Sequence, residues 1–263
     1  MKHKSPLSWV LYDFANSAYH LLTITVLFPL CFKQVLYPGE GSTDAMWSAV
    51  VSIPILLSGL ASPFIGAYID RRGTKRRVFV ITCLATTVLA FSLGLAPAAI
   101  PVVPILLFSL SLFCFNLSQF VYNAFLPTQD FKKGLALLSG LGWGTGYLGG
   151  ILCMPLALLF VSGATLPDDY ADYQKAFCVV AAFFFIFALP SLLYVKDEIK
   201  DGNANDRETP RNPLVQVLST LRDWRRNREL FKFLVSFYLI NDGLSTLVFF
   251  TAIFASTTLS MST

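Results

Sequence analysis

Residues Gly66–Arg77 have the sequence GAYIDRRGTKRR and lie between two long apolar stretches. Five of the twenty Lys and Arg residues of the chain fall within seven of these positions, from Arg71 to Arg77. Short basic loops between apolar segments are typical of the cytoplasmic side of membrane proteins, because positive charge biases a loop to stay on that side. The segment therefore predicts a membrane-spanning fold and indicates its orientation.

The composition supports a membrane protein. The chain is 55% hydrophobic and only 14% charged, which is unusual for a soluble domain of 263 residues. Its formal charge of +4 is concentrated in short loops, so a membrane surface explains it better than nucleic acid does, and we expect no nucleic-acid partner. The basic N-terminus is not followed by a small-residue cleavage site, so we interpret the segment behind it as a retained helix.

The cysteines predict no redox or metal chemistry. They are dispersed through apolar segments, with neither a CxxC pair nor a partnering His cluster. They are Cys31, Cys83, Cys114, Cys153 and Cys178. We expect no disulfide framework, no metal site, no cofactor and no enzymatic activity.

Seven apolar segments reach the roughly 20 residues that a helix needs to cross a bilayer. Spans one to seven are Leu7–Val35, Trp47–Ile69, Val78–Ala96, Val102–Leu126, Leu135–Val161, Ala176–Val195 and Leu230–Ala255. The predicted fold class is therefore an all-α, polytopic membrane helix bundle. Nearly all Lys and Arg residues fall on one side of these spans, and only Lys33 and Lys175 fall on the other. The positive-inside rule then places the N-terminus in the cytoplasm of a cell whose inner membrane holds the protein.

The segment between spans six and seven divides the chain. We predict a six-helix bundle over residues 1–195, a cytoplasmic linker over 196–229 and the first helix of an incomplete second bundle over 230–263. The linker contains apolar residues at helical spacing, opposed by arginines. The apolar residues are Leu214, Val217, Leu218, Leu221 and Trp224. Such an amphipathic helix fits the anionic cytoplasmic leaflet, and it fits equally well against the underside of the bundle.

Polar side chains form stripes on spans one, four and seven. The stripe on span one falls on one helical face, and its members are Asp13, Asn16, Ser17, His20 and Thr23. The stripes on spans four and seven are built from Asn116, Gln119 and Asn123, and from Tyr238, Asn241, Asp242 and Ser245. Polar groups are costly in lipid, so these faces are predicted to line a watery, substrate-binding cavity. The alternatives are a headgroup position for Asp13 and plain interhelical hydrogen bonds.

Span five is rich in glycine. Residues Ser139–Gly150 contain three overlapping GxxxG spacings, which pair positions 140 and 144, 142 and 146, and 146 and 150. Such spacings let two helices approach closely, either in a static contact or in one that slides during transport. Trp143 and Tyr147 fit a cavity lining or a packing anchor.

The basic segment also resembles a known motif. The major facilitator superfamily of transporters carries G-x-L-x-D-R-x-G-R/K-R/K between spans two and three, and this chain departs from it at Tyr68 and Thr74. The matching residues, which this resemblance assigns to gating, are Gly66, Asp70, Arg71, Gly73, Lys75 and Arg76.

Four further segments resemble the unidentified-major-facilitator family, whose eukaryotic relatives are vacuolar amino-acid effluxers. They are SWVLYDFANSAY (Ser8–Tyr19), YNAFLP (Tyr122–Pro127), SGLGWGTGYLGG (Ser139–Gly150) and YLINDG (Tyr238–Gly243). The resemblance implies two six-helix bundles with the substrate between them, alternating access, and spans one, four and seven around the cavity. It further implies that Asp70 holds a cytoplasmic gate closed against the second bundle.

Transport would then need more than this chain supplies. We expect a chain truncated after span seven, whose missing half, or a second polypeptide or second copy, completes the cavity. The expected function is secondary transport of a small polar solute, with amino acids as candidates and Asp13 or Asp242 as proton or amine partners. The alternatives are an inactive transporter fragment and an intramembrane aspartyl protease, although the GxGD motif of such proteases is missing around Asp242.

Overall fold

The computed structural model describes residues 4–37, 43–129, 131, 134–159, 169–195, 197 and 228–257. Helices joined by short turns account for the secondary structure of these residues. The helices are α1 (Lys4–Tyr19), π1 (His20–Leu27), α2 (Phe28–Cys31), π2 (Phe32–Leu36), α3 (Thr43–Arg72), α4 (Lys75–Leu93), α5 (Val102–Asn123), a 3-10 turn (Leu126–Thr128), α6 (Leu135–Leu158), α7 (Tyr170–Tyr194) and α8 (Arg228–Thr257). The predicted all-α polytopic bundle is confirmed.

Six helical segments in the described part of the chain are long and apolar enough to cross a membrane. They correspond to predicted spans one to six, and span one is the continuous run from Pro6 to Leu36. Helix α8 has 30 residues, so its rise of about 1.5 Å per residue gives it ample length for the predicted seventh crossing. The division into a bundle, a linker and a second bundle remains a prediction, and the amphipathic linker helix lies outside the described residues.

Span one forms the centre of the bundle. Helix α1 packs against α6 and α7, α4 packs against α5 and α7, and α3 packs along α5. Helix α8 contacts the C-terminal half of span one at π1 and α2. By contrast, α3 leaves large apolar side chains such as Leu56 and Leu60 exposed, as lipid-facing positions require.

Buried aromatic rings fill the interior around span one. Phe28 stacks on Phe108 with ring centroids 3.9 Å apart, and Trp47 packs 6.1 Å from Phe28. Close ring contacts of this kind supply dispersion energy, which is the main attraction between helices when the surrounding lipid is equally apolar. The core therefore holds span one in place from several sides.

Several helix boundaries differ from those that hydropathy predicts, and two of the differences have a clear local cause. Helix α7 begins at Tyr170 rather than Ala176, because the Asp169 carboxylate accepts a hydrogen bond from the Asp172 amide at 2.8 Å and caps the helix. Helix α3 continues through Arg72, so the basic segment is not a long loop. Only Gly73 and Thr74 separate α3 from α4, and Gly73 turns the chain with a φ of 63°.

Candidate functional site

Spans one and four are joined by three polar pairs. The pairs are Trp9 with Tyr122, Tyr12 with Ser118 and Tyr19 with Ser111. The first pair is reciprocal: the Trp9 indole donates to the Tyr122 carbonyl oxygen at 3.3 Å, and the Tyr122 hydroxyl donates to the Trp9 carbonyl oxygen at 3.0 Å. From the first pair to the third, the residue number rises on α1 and falls on α5, so the two helices are antiparallel.

Three amides of the predicted polar stripes lie beside this contact. Asn16 is buried, and Asn116 and Gln119 are half-buried. In each of them one buried polar atom has no hydrogen-bond partner among the described residues: the Asn16 Oδ1, the Asn116 Nδ2 and the Gln119 Oε1. A buried polar atom without a partner costs about 1–3 kcal/mol, so such atoms normally meet water or a ligand.

The two stripes face the same side of the helix pair. Successive residues of a helix are rotated by about 100° around its axis. Asn16 is displaced around α1 from the contact residue Tyr12, and Gln119 is displaced around α5 from the contact residue Ser118. Both displacements have the sense in which residue numbers increase. Because α1 and α5 are antiparallel, rotations of the same sense bring both side chains to one side. By this argument Asn16 and Gln119 lie on one side of the helix pair, and the assembly of all the predicted amides into one site stays a prediction.

The remaining residues of the first stripe have different surroundings. The Asp13 carboxylate is buried and interacts with the side chains of Tyr122 and Asn16. His20 is half-buried at the start of π1, with its ring centroid 6.2 Å from that of Phe115. Thr23 is buried within π1. The stripe therefore extends around span one from the residues that contact α6 toward those that contact α5, and Asn16 lies between these two sets of residues.

Glycines of α6 pack directly against the first stripe. A Cβ atom at Gly142 would overlap the Asp13 carboxylate, and one at Gly146 would overlap the Ser17 hydroxyl. Gly149 lies so close to Phe14 that a Cβ atom there would meet its backbone carbonyl. Of the three GxxxG spacings, those at 142/146 and 146/150 therefore form the helix contact, whereas Gly140 and Gly144 have no atom within 4 Å of the equivalent position in the described structure.

The polar residues of spans four and seven are not all gathered at this site. Asn123 is exposed at the end of α5. On α8, Asn241 and Asp242 are exposed, and the Asn241 amide donates to the Phe237 carbonyl oxygen of its own helix at 2.8 Å. Helix α8 contacts span one, but these two side chains point away from the described core.

Two glycines predicted to act in gating occupy distinct places in the basic segment. Gly66 faces α5, where an added Cβ atom would make an ordinary van der Waals contact with the Phe120 ring at 3.5 Å, so this approach does not require a glycine. Gly73 forms the turn between α3 and α4. The side chains of Asp70 and Arg71 lie outside the described part of the structure, and Lys75 is the first residue of α4.

Arg76 links the basic segment to the end of span six. Its backbone amide donates to the Asp197 carboxylate at 2.7 Å, and its guanidinium donates to the Leu192 carbonyl oxygen at 3.0 Å. An acidic group at the start of α4 and a basic group at the end of α7 both complement the helix dipoles. We call this arrangement the α4–α7 clasp.

Sequence reasoning did not assign the residues that join the spans. Tyr122 stood out only as part of a family-like segment, and Asp197 only as part of the linker. One available signal was spacing: Tyr12 and Tyr19 are seven residues apart, as are Ser111 and Ser118, so matching heptad faces could have paired spans one and four. The Arg76 contacts, 116 and 121 positions away along the chain, left no such signal.

Comparison with known proteins identifies the family. The family model described as "Vacuole effluxer Atg22 like" matches residues 128–263, which is more than half of the chain. The chain belongs to the Atg22-like family. The suspected membership of the major facilitator type is confirmed by its relatives, one of which is the "Uncharacterized MFS-type transporter YxiO" of Bacillus subtilis (strain 168). It is 27% identical over 93% of this Atg22-like chain and 58% of its own length.

Two other relatives also match most of this chain over about half of their own length. An "Uncharacterized protein" of Aquifex aeolicus (strain VF5) is 24% identical over 94% of this chain and 56% of its own length. "Multidrug resistance protein MdtG" of Enterobacter lignolyticus (strain SCF1) is 28% identical over 76% of this chain and 44% of its own length. The chain thus spans about half the length of the curated relatives it matches. No solved structure gives a significant match.

Proposed function

We propose that this Atg22-like chain is the first part of a secondary transporter that moves a small polar solute across the cell membrane by alternating access. One observation carries the proposal: Asn16, Asn116 and Gln119 hold buried polar atoms that have no partner among the described residues. Helix geometry puts Asn16 and Gln119 on one side of spans one and four. Two of these atoms are acceptors and one is a donor, which suits a solute with several hydrogen-bonding groups.

Amino acids are our candidate substrates. The Asn116 amide nitrogen can donate to a carboxylate, and the Asn16 and Gln119 oxygens can accept from an ammonium group. The Asp13 carboxylate, buried beside Asn16, can bind either that ammonium group or a coupling proton. Asp242 on α8 is the second candidate for proton coupling.

Transport as proposed requires a second bundle. Helices α1 to α7 form one bundle, and α8 adds one helix against the C-terminal half of span one. A cavity between two bundles then needs further helices, supplied by a continuation of the chain, by a second polypeptide or by a second copy. The competing proposal is a fragment that folds and does not transport.

We also propose an orientation and a gate. The basic residues from Arg71 to Arg77, at the end of α3 and the start of α4, lie at the cytoplasmic headgroups, which leaves the N-terminus in the cytoplasm. Asp70, supported by Gly66, Gly73 and the neighbouring basic residues, closes the cytoplasmic side against the second bundle. In a two-bundle form, Asp70→Asn should impair transport while leaving the folding of the first bundle unchanged.

Uptake into proteoliposomes tests the proposal. The two-bundle form is reconstituted, and uptake of a panel of radiolabelled amino acids is measured with and without a proton gradient. Wild type should take up at least one of them, Asn16→Ala should abolish uptake, and Gly144→Ala, which changes an open position on α6, should preserve it. Uptake that Asn16→Ala leaves intact would contradict the proposed site.

The coupling proposal has its own readout. Asp13→Asn or Asp242→Asn should uncouple uptake from the proton gradient. Gradient-dependent uptake that survives in both variants would remove these carboxylates from the coupling mechanism.

No observation favours an aspartyl protease. Such an enzyme needs two carboxylates close enough to share a proton. In the described structure Asp13 is buried beside Tyr122, whereas Asp242 is exposed on α8.

A further inference from the structure

An exposed aromatic pair lies next to the proposed solute site. Trp143 and Tyr147 on α6 are 69% and 66% exposed, and their rings meet edge to face with centroids 6.3 Å apart. Large aromatic side chains make up most of the binding surface of many ligand sites, and they expose a π face that attracts cations. These two residues need no contact with α1, because the neighbouring glycines make that contact.

The pair faces the same side of the bundle as the amides. Helix α6 runs parallel to α1, since Gly142 meets Asp13, Gly146 meets Ser17 and positions rise together. When two parallel helices are in contact, the residues that face one given side follow the contact residues in sequence on one helix and precede them on the other. Trp143 and Tyr147 each follow a contact glycine by one position, and Asn16 precedes the contact residue Ser17. All three side chains therefore lie on the side of α1 between its contacts with α5 and with α6, and we call the space on this side the wedge.

One acidic residue, Asp13, accompanies this wedge. Helices α5 and α6 contain no Asp, Glu, Lys or Arg, and Asp13 is the only such residue between Trp9 and Cys31. The Asp13 carboxylate lies against Gly142, the residue that immediately precedes Trp143. A wedge with one carboxylate, adjacent π faces and no Lys or Arg on α5, on α6 or between Trp9 and Cys31 of span one is complementary to a positively charged group.

We propose that Trp143 and Tyr147 determine the specificity of the site by binding the ammonium group of the solute against their rings, with Asp13 as its counter-ion. This inference rests on the proposed transport function and adds two residues to its site. It selects ammonium-bearing solutes over neutral solutes of the same shape. The opposite flank of α6, which carries the exposed Leu141, faces away from the wedge and has no part in recognition.

Ligand-induced thermal stabilisation tests the inference without requiring transport. The purified two-bundle protein in detergent is heated with increasing butylammonium chloride or with butan-1-ol, a neutral molecule of similar shape, at constant ionic strength. Butylammonium should raise the melting temperature and butan-1-ol should not, since only a ligand that binds the folded state stabilises it. Trp143→Ala should raise the butylammonium concentration needed for half the shift about tenfold. Trp143→Phe should give an intermediate value, and the matched variant Leu141→Ala should behave as wild type.

Three results would overturn the inference. The first is equal stabilisation by butan-1-ol, and the second is an unchanged butylammonium response in Trp143→Ala. The third is a Trp143→Ala protein that melts early without ligand yet binds butylammonium normally, which would make Trp143 a contact for a helix of the second bundle. The two proposals fail separately. Ammonium binding without uptake would contradict transport alone, and uptake with no ammonium selectivity would contradict the aromatic site alone.

Discussion

The two flanks of span one differ in how their polar groups are satisfied. Against α6, Asp13 and Ser17 lie in contact with glycines, and there is no room for even one added carbon atom at Gly142 or Gly146. Toward α5, Asn16 keeps a buried oxygen without a partner in the described structure. One flank is therefore built for close packing, whereas the other keeps hydrogen-bonding capacity in reserve. Under the proposed function, one polar stripe on a membrane helix therefore serves both helix packing and ligand binding.

The largest expected effect is on the packed flank. Gly149→Ala places a Cβ atom against the Phe14 backbone carbonyl, which cannot rotate away. We expect the free energy of unfolding to fall by about 3 kcal/mol or the bundle to misfold, because overpacking of this kind forces backbone shifts. Denaturant titration of the detergent-solubilised protein, followed by circular dichroism, measures the change.

The matched control is on the same helix. In the described structure no atom lies within 4 Å of the position that a Cβ atom at Gly144 would take, so Gly144→Ala should leave stability unchanged or raise it by up to about 1 kcal/mol. Equal destabilisation by both variants would show that the two glycine faces are not distinct.

The second largest effect is expected on α5, which faces the flank of span one where Asn16 has its unpartnered oxygen. Asn116→Leu removes an amide whose nitrogen has no partner among the described residues, so the melting temperature should stay the same or rise. Uptake by the two-bundle form should nevertheless fall at least about tenfold, because the solute loses a hydrogen-bond donor. A clear loss of stability in this variant would mean that Asn116 supports the fold instead, and Leu106→Ala at an exposed position of α5 is the control.

Much of the fold could be predicted from the sequence, because the spans are long and apolar and the loops rich in Lys and Arg alternate along the chain with loops that contain few of them. The start of α7 could not be predicted from hydropathy, since the Asp169 cap extends the helix across the polar residues Asp172 and Lys175. The choice among three GxxxG spacings also required the partner helix, because spacing alone gives Gly140 and Gly146 the same pattern. The α4–α7 clasp could not be predicted either, because it joins residues more than a hundred positions apart in the sequence.

The smallest expected effect is at the α4–α7 clasp, which is remote from both flanks. Asp197→Ala removes the acceptor of the Arg76 amide and should cost about 1 kcal/mol, the usual size of a charge at a helix start. Hydrogen exchange should accelerate in the first turn of α4 and stay unchanged in α5. The exposed neighbour Arg77 provides a control, since Arg77→Ala should leave that exchange rate as it is. Unchanged exchange in Asp197→Ala would show that the clasp does not order α4.

Labelling of introduced cysteines in the membrane tests the central claim, that the amide-bearing side of spans one and four faces water. In a background where all five native cysteines are replaced, Gln119→Cys and Leu141→Cys are each exposed to a membrane-impermeant maleimide applied from either side. A thiol reacts as the thiolate, which forms in water and not in lipid. We predict rapid labelling of Gln119→Cys and none of Leu141→Cys. A protected Gln119→Cys, with Leu141→Cys labelled or not, would contradict the claim.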